Sequence, residues 1–137
     1  MKEQNMHILN ALSKKYEKLK KNNFLRGGKI GLELEFILVP FNGKKPDFDF
    51  YKKIFQRLVA YLNFLVDKKD QEGYPIKASN KDGDIISFEY GYSILEISLS
   101  PKKNIHEVNN SAFFFIKKIQ YFLNKNGLRL LPCGINP

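Results

Sequence analysis

The segment Lys29–Val39 constrains the chain most. It reads Lys-Ile-Gly-Leu-Glu-Leu-Glu-Phe-Ile-Leu-Val, and its alternation of residue types predicts a strand. Successive side chains of a strand point to opposite faces. Ile30, Leu32, Leu34, Phe36 and Leu38 therefore share one face, and Gly31, Glu33, Glu35, Ile37 and Val39 share the other. The first face needs a covering layer. The second carries two carboxylates that start roughly 6.5–7 Å apart, two residues along a strand, and these need water or a counter-charge. Pro40 is expected to close the strand.

The rest of the chain supplies the covering layer and the neighbouring strands. Met6, Leu9, Leu12, Tyr16 and Leu19 recur at spacings of three and four, which predicts an amphipathic helix over about 3–22, ended by Asn22-Asn23 and Gly27-Gly28. A turn-rich stretch from Pro40 to Asp47 leads to a second helix over about 48–67. It is capped by Asp47 or Asp49 and has Ile54, Leu58, Leu62 and Leu65 as its apolar stripe. A short strand is expected at 74–78, followed by a turn at Asn80-Lys81-Asp82-Gly83. Two further strands, 84–90 and 93–100, are joined by Gly91-Tyr92 as a two-residue hairpin turn, and Pro101 is expected to break the chain. Asn104 and Glu107 have the spacing of a capping box. The helix they open runs to about Asn126 through Val108, Ala112, Phe115, Ile119 and Phe122. Gly127 stands where a C′ glycine belongs, and 128–131 forms a last short strand. The order α-β-α-β-β-β-α-β predicts a single α+β domain over 1–137, a mostly antiparallel sheet with helices on one face.

Composition narrows the function classes. The chain has 137 residues, 43% hydrophobic and 14% aromatic, enough for a packed core and unlike a disordered tail. No apolar run reaches the ~20 residues of a membrane-spanning helix. A single cysteine, Cys133, excludes an internal disulfide framework. The first 21 residues lack the apolar core and cleavage site of a secretion signal, so a cytoplasmic location is expected. The net charge of +9 comes from 23 Lys+Arg against 14 Asp+Glu. It is almost all lysine, with arginine only at Arg26, Arg57 and Arg129, whereas nucleic-acid readers rely on arginine for bidentate contacts. A basic nucleic-acid-binding domain is the third and last-ranked reading.

The carboxylates carry the chemistry. With Gly91 and Tyr92 as the turn, Tyr90 faces Ser93, Glu89 faces Ile94 and Glu96 faces Ser87. Glu89 and Glu96 then share one sheet face while Phe88, Leu95, Ile97 and Leu99 point into the helices. Acids on the wet face of an antiparallel sheet are ordinary. Glutamate is nonetheless depleted in strands, and no lysine lies between Ile30 and Val39 or between Ile85 and Ser100 in this lysine-rich chain. Clustered acids repel unless neutralised, and hard divalent ions such as Mg²⁺ prefer carboxylate oxygen. Glu33, Glu35, Glu89 and Glu96 are therefore the candidate metal ligands. His7 and His106 read as surface residues, His106 with some prospect of approaching this site. Cys133 reads as a small buried side chain. Gly27-Gly28 reads as a turn, and Phe113-Phe114-Phe115 as core that cannot all face inward.

These residues carry a resemblance. Gly31-Leu32-Glu33-Leu34-Glu35-Phe36 is similar to the Gly-x-Glu-x-Glu strand that opens the glutamate–cysteine ligases and related carboxylate–amine ligases. Ile94–Pro101 resembles their second acidic strand, and Leu131–Pro137 resembles the segment after the next helix. The three motifs occur in the family's order across nearly the whole chain. The resemblance implies a glutamine-synthetase-like antiparallel sheet holding Mg²⁺ or Mn²⁺ on one face. It also implies ATP-dependent joining of the γ-carboxylate of glutamate to the amine of cysteine or another amine through an acyl phosphate, a step of glutathione biosynthesis. Glu33, Glu35 and Glu96 match the family's metal-binding glutamates, Glu89 matches an acidic ligand of some members, and Tyr90 would flank the amino-acid substrate. Family enzymes are longer, and their remaining ligands and arginines lie past the point matching Pro137. The expectation is thus the N-terminal part of a ligase, completed by a second chain or by self-association. The alternative is a non-catalytic binding or regulatory module on the same scaffold.

Overall fold

The computed structural model describes residues 28–44, 46–89 and 92–132. The alternating segment is strand β1 (Ile30–Pro40). It is followed by helix α1 (Phe48–Leu62), strands β2 (Leu65–Lys69), β3 (Pro75–Ser79), β4 (Ile85–Glu89) and β5 (Ile94–Lys102), helix α2 (Ile105–Asn124) and strand β6 (Leu128–Leu131). The strands form one open sheet in the order β2-β3-β4-β5-β1-β6. Every neighbouring pair is antiparallel. The described residues therefore form the expected α+β arrangement. The helix expected over 3–22 lies outside them.

Local chemistry explains the element ends. Asp47 caps α1, its Oδ1 accepting from the Phe50 N–H at 2.8 Å. The Asn104–Glu107 box forms in a variant way: the Glu107 N–H donates to Asn104 Oδ1 at 2.9 Å as its spacing implies, while the Glu107 carboxylate accepts from Asn104 Nδ2 at 3.0 Å and from the Lys103 N–H at 3.2 Å. Gly127 has φ +74, two residues past the C-cap Lys125. Two expectations are corrected. The helix expected to 67 ends at Leu62, because Asn63 adopts the left-handed conformation (φ 56) and its N–H closes back on Ala60 and Val59. Asparagine tolerates that region well. The chain then turns into β2, where Leu65 is 74% exposed on an edge strand rather than part of a helical stripe. Pro101 does not break β5. It lies in a bulge, where Ser100 and Pro101 oppose Gly31 alone between the pairs Ile30↔Lys102 and Leu32↔Leu99, and a bulge needs no donor from proline.

Both helices cover the same sheet face. Phe36, Leu38, Ala78, Ile86, Leu95, Ile97, Leu99, Leu128 and Leu130 from the strands meet Phe55, Leu58, Val108, Phe115, Ile119 and Leu123 from the helices in one core. Of the three consecutive phenylalanines, Phe115 is buried while Phe113 and Phe114 are exposed. The Tyr51 hydroxyl donates to the Leu38 carbonyl at 3.2 Å, which ties α1 to β1.

Candidate functional site

The sheet register sorts the face opposite α1 and α2 into rows. Glu35 lies directly opposite Glu96, which lies opposite Ser87, which lies opposite Lys77. On one side of this row Glu33 faces Ser98, which faces Ile85. On the other side Glu89 faces Ile94, which faces Ile37. The sequence-derived pairs Glu89↔Ile94 and Ser87↔Glu96 are those observed, and all four glutamates project from one sheet face. Glu96 is central. Cross-strand partners such as Glu35 start about 4.5–5.5 Å away, and diagonal neighbours such as Glu33 and Glu89 about 7–8 Å away. Tyr90 lies outside the described residues. His106 stands exposed on the first turn of α2, a helix packed on the opposite face.

The surroundings differ along the row. Glu33 and Glu35 are exposed, Glu89 and Glu96 half-buried. Glu96 Oε1 accepts from the Ser98 hydroxyl at 2.6 Å and the Ser87 hydroxyl at 3.4 Å. None of the four is ion-paired among the described residues, where the ion pairs belong to Lys52 and Lys102. No lysine lies in β1 or β4, β5 carries one only at its last residue, Lys102, which pairs with Asp84, and Lys77 of β3 enters the same row two strands from Glu96. Among the described residues no three His, Cys, Asp or Glu side chains stand close enough together to hold a metal ion by themselves. The face thus offers one facing carboxylate pair with two diagonal acids. It is not a closed all-protein cage. Ile37, 2% exposed at the end of this face, lies outside the main core.

Two buried charge networks have no signature in the sequence. Lys52 of α1 is only 6% exposed. Its Nζ pairs with Glu72 Oε2 at 2.9 Å and Asp70 Oδ2 at 3.4 Å, and lies 5.1 Å from the Tyr92 ring and 5.6 Å from the Tyr74 ring. The Glu72 bond, against the cost of burial and with help from Asp70, holds the Lys52 ammonium above its ordinary pKa. Burial opposes ionisation of Asp70, but bonds from the Tyr92 hydroxyl, the Tyr74 N–H and Lys52 outweigh it and lower its pKa. The second network centres on Asp84, 4% exposed. Its Oδ1 accepts from the Ser100 N–H at 2.9 Å, the Ser100 hydroxyl at 2.8 Å and Lys102 Nζ at 3.3 Å, and its Oδ2 from Asn80 Nδ2 at 3.0 Å. A cleft of about 380 Å³ opens beside it, lined also by Asn110, Ser111 and Phe114. With these donors in place Asp84 is occupied in holding the β3–β4 turn to β5.

No protein-family model matches the chain, and no curated protein sequence matches it. No helix among the described residues is long and apolar enough to cross a membrane.

Proposed function

We propose that the sheet face opposite α1 and α2 binds a divalent cation together with phosphate, as part of an ATP-dependent carboxylate–amine ligase of the glutamate–cysteine ligase kind that the sequence resembles. The observation that supports this reading is the placement of Glu35 directly against Glu96, with Glu33 and Glu89 diagonal to Glu96 on the same face. Mg²⁺ is usually held by one or two carboxylates plus substrate phosphates rather than by a protein cage, so a facing pair fits that donor set. Mg²⁺, or Mn²⁺, would neutralise phosphate charge there. Lys77, paired with Lys68 of the edge strand and roughly 14 Å from Glu35 at ~4.8 Å per strand, would attract further phosphate oxygens.

In the proposed reaction the γ-carboxylate of glutamate displaces ADP from the terminal phosphate of ATP, and the amine of cysteine then displaces phosphate from the acyl phosphate to form the amide. Glu35 and Glu96 would hold the cation, which would supply neutralisation of the reacting phosphates, and Tyr90 is proposed to flank the amino acid. The rest of the site would come from further sequence or a second chain. A non-catalytic module is the second reading, favoured by the serine bonds that already satisfy one oxygen of Glu96. Incubation with ATP, Mg²⁺, glutamate and cysteine separates the two. Phosphate release that needs both amino acids and is lost in Glu96→Gln supports the ligase. A stable dimer or hetero-complex that binds no nucleotide supports the module.

A further inference from the structure

Tyr92 holds a left-handed backbone (φ 61), a conformation that a bulky residue adopts only where its surroundings over-determine it. The surroundings are explicit. Its hydroxyl donates to Asp70 Oδ2 at 2.8 Å. Its ring packs on Phe48 and Phe88, with centroids 6.1 and 5.5 Å apart, under Lys52 Nζ. Asp70 is itself fixed by the Glu72 and Tyr74 N–H groups, both donating to its Oδ1 at 2.9 Å. The next residue is tied elsewhere: the Ser93 carbonyl accepts from the Leu38 N–H of β1 at 2.8 Å. Leu38 in turn receives the Tyr51 hydroxyl, and Tyr51 precedes Lys52 on α1. The contacts close a circuit through Tyr51, Leu38, Ser93, Tyr92, Asp70 and Lys52.

A circuit of this kind addresses a weakness of the core. A one-residue slip of β5 would turn Leu95 and Ile97 outward, and burial forbids it. A two-residue slip keeps the apolar side chains of β5 on the covered face and brings Ser93 or Pro101 into one end of their row, so alternation alone does not forbid it. It would nevertheless move Glu96 away from Glu35, to a place opposite Glu33 or Ile37. We propose that Lys52, Asp70 and Tyr92 are positioning residues that pin the β4–β5 hairpin against β1 and so select the register in which Glu96 faces Glu35. The functional consequence rests on the reading of that pair as cation-binding; the register itself does not.

The test compares the wild-type chain with Tyr92→Phe, which keeps the ring, and Lys52→Met, which keeps the stem. Asn104→Ala serves as a control that destabilises the fold at a distance. NMR contacts between backbone protons across Glu35/Glu96 and Leu34/Ile97 report the register, amide exchange of Leu95 and Ile97 reports its security, and Mn²⁺ broadening reports the acid pair. The expected result is a second set of cross-strand contacts or at least tenfold faster exchange in either pin variant, with at least fivefold weaker Mn²⁺ binding, and neither change in the control. One wild-type contact set with exchange within twofold in both variants would overturn the proposal, as would equal loosening in the control. Absence of Mn²⁺ broadening in the wild type counts against the cation reading alone, because the contact and exchange data still decide the pin.

Discussion

At the scale of single residues, Asp84 shows how much one buried carboxylate organises. Its four hydrogen bonds join the Asn80–Asp84 turn to Ser100 and Lys102. Replacing it with alanine strands those donors in a buried place, at a cost of roughly 2–3 kcal/mol of stability for unsatisfied buried groups, readable by urea denaturation. Burial opposes its ionisation, but Asn80, Ser100 and Lys102 together lower its pKa, as Tyr92, Tyr74 and Lys52 do for Asp70. A carboxylate with a lowered folded pKa stabilises above its unfolded value, about 3.9 for Asp, and loses that contribution as pH falls through the folded value. Melting temperature is therefore expected to fall steeply below about pH 4, and Asp84→Asn to shallow that acid limb. At the alkaline end, burial and then Asp70 raise the Tyr92 pKa, so its hydroxyl donates throughout neutral pH and its contribution fades only above the ordinary tyrosine range. None of this was legible in the sequence. Lys52, Asp70 and Tyr92 have no periodic relation, and only the folded chain brings them together. The four glutamates were legible because strand alternation alone assigns them a face.

At the scale of elements, legibility followed the reach of the signal. The capping box at Asn104 and Glu107, the cap at Asp47 and the strand at 128–131 depend on residues within a turn of one another, and each stands where its chemistry implies. The end of α1 is hidden in the sequence because Leu65 continues the period of Ile54, Leu58 and Leu62, while the stop is a single left-handed asparagine. Asn63→Ala is expected to cost up to about 1 kcal/mol, because alanine keeps the Cβ but lacks the short polar side chain that eases asparagine into that region, whereas Asn63→Gly, which removes the Cβ, should leave stability unchanged or raise it, as measured by thermal melts. Removing the α2 cap by Asn104→Ala is expected to cost about 1 kcal/mol. Bulges also escaped the sequence: Pro101 breaks a regular ladder, but the extra residue in β5 lets the strand run on to Lys102.

At the scale of the whole molecule, the sheet separates two environments. One face is closed by α1 and α2 over aliphatic and aromatic side chains. The other presents a row that passes from Lys77 through Ser87 and Glu96 to Glu35. The acidic end of this row is proposed to bind a divalent cation with phosphate. Water-proton relaxation during Mn²⁺ titration, with and without ATP, tests it directly on the wild-type chain and on Glu35→Gln and Glu96→Gln. The expected result is saturable Mn²⁺ binding that ATP tightens and that each substitution weakens at least tenfold while the fold, followed by circular dichroism, is kept. Identical titrations for all three proteins, or no saturable binding in the wild type, would contradict it.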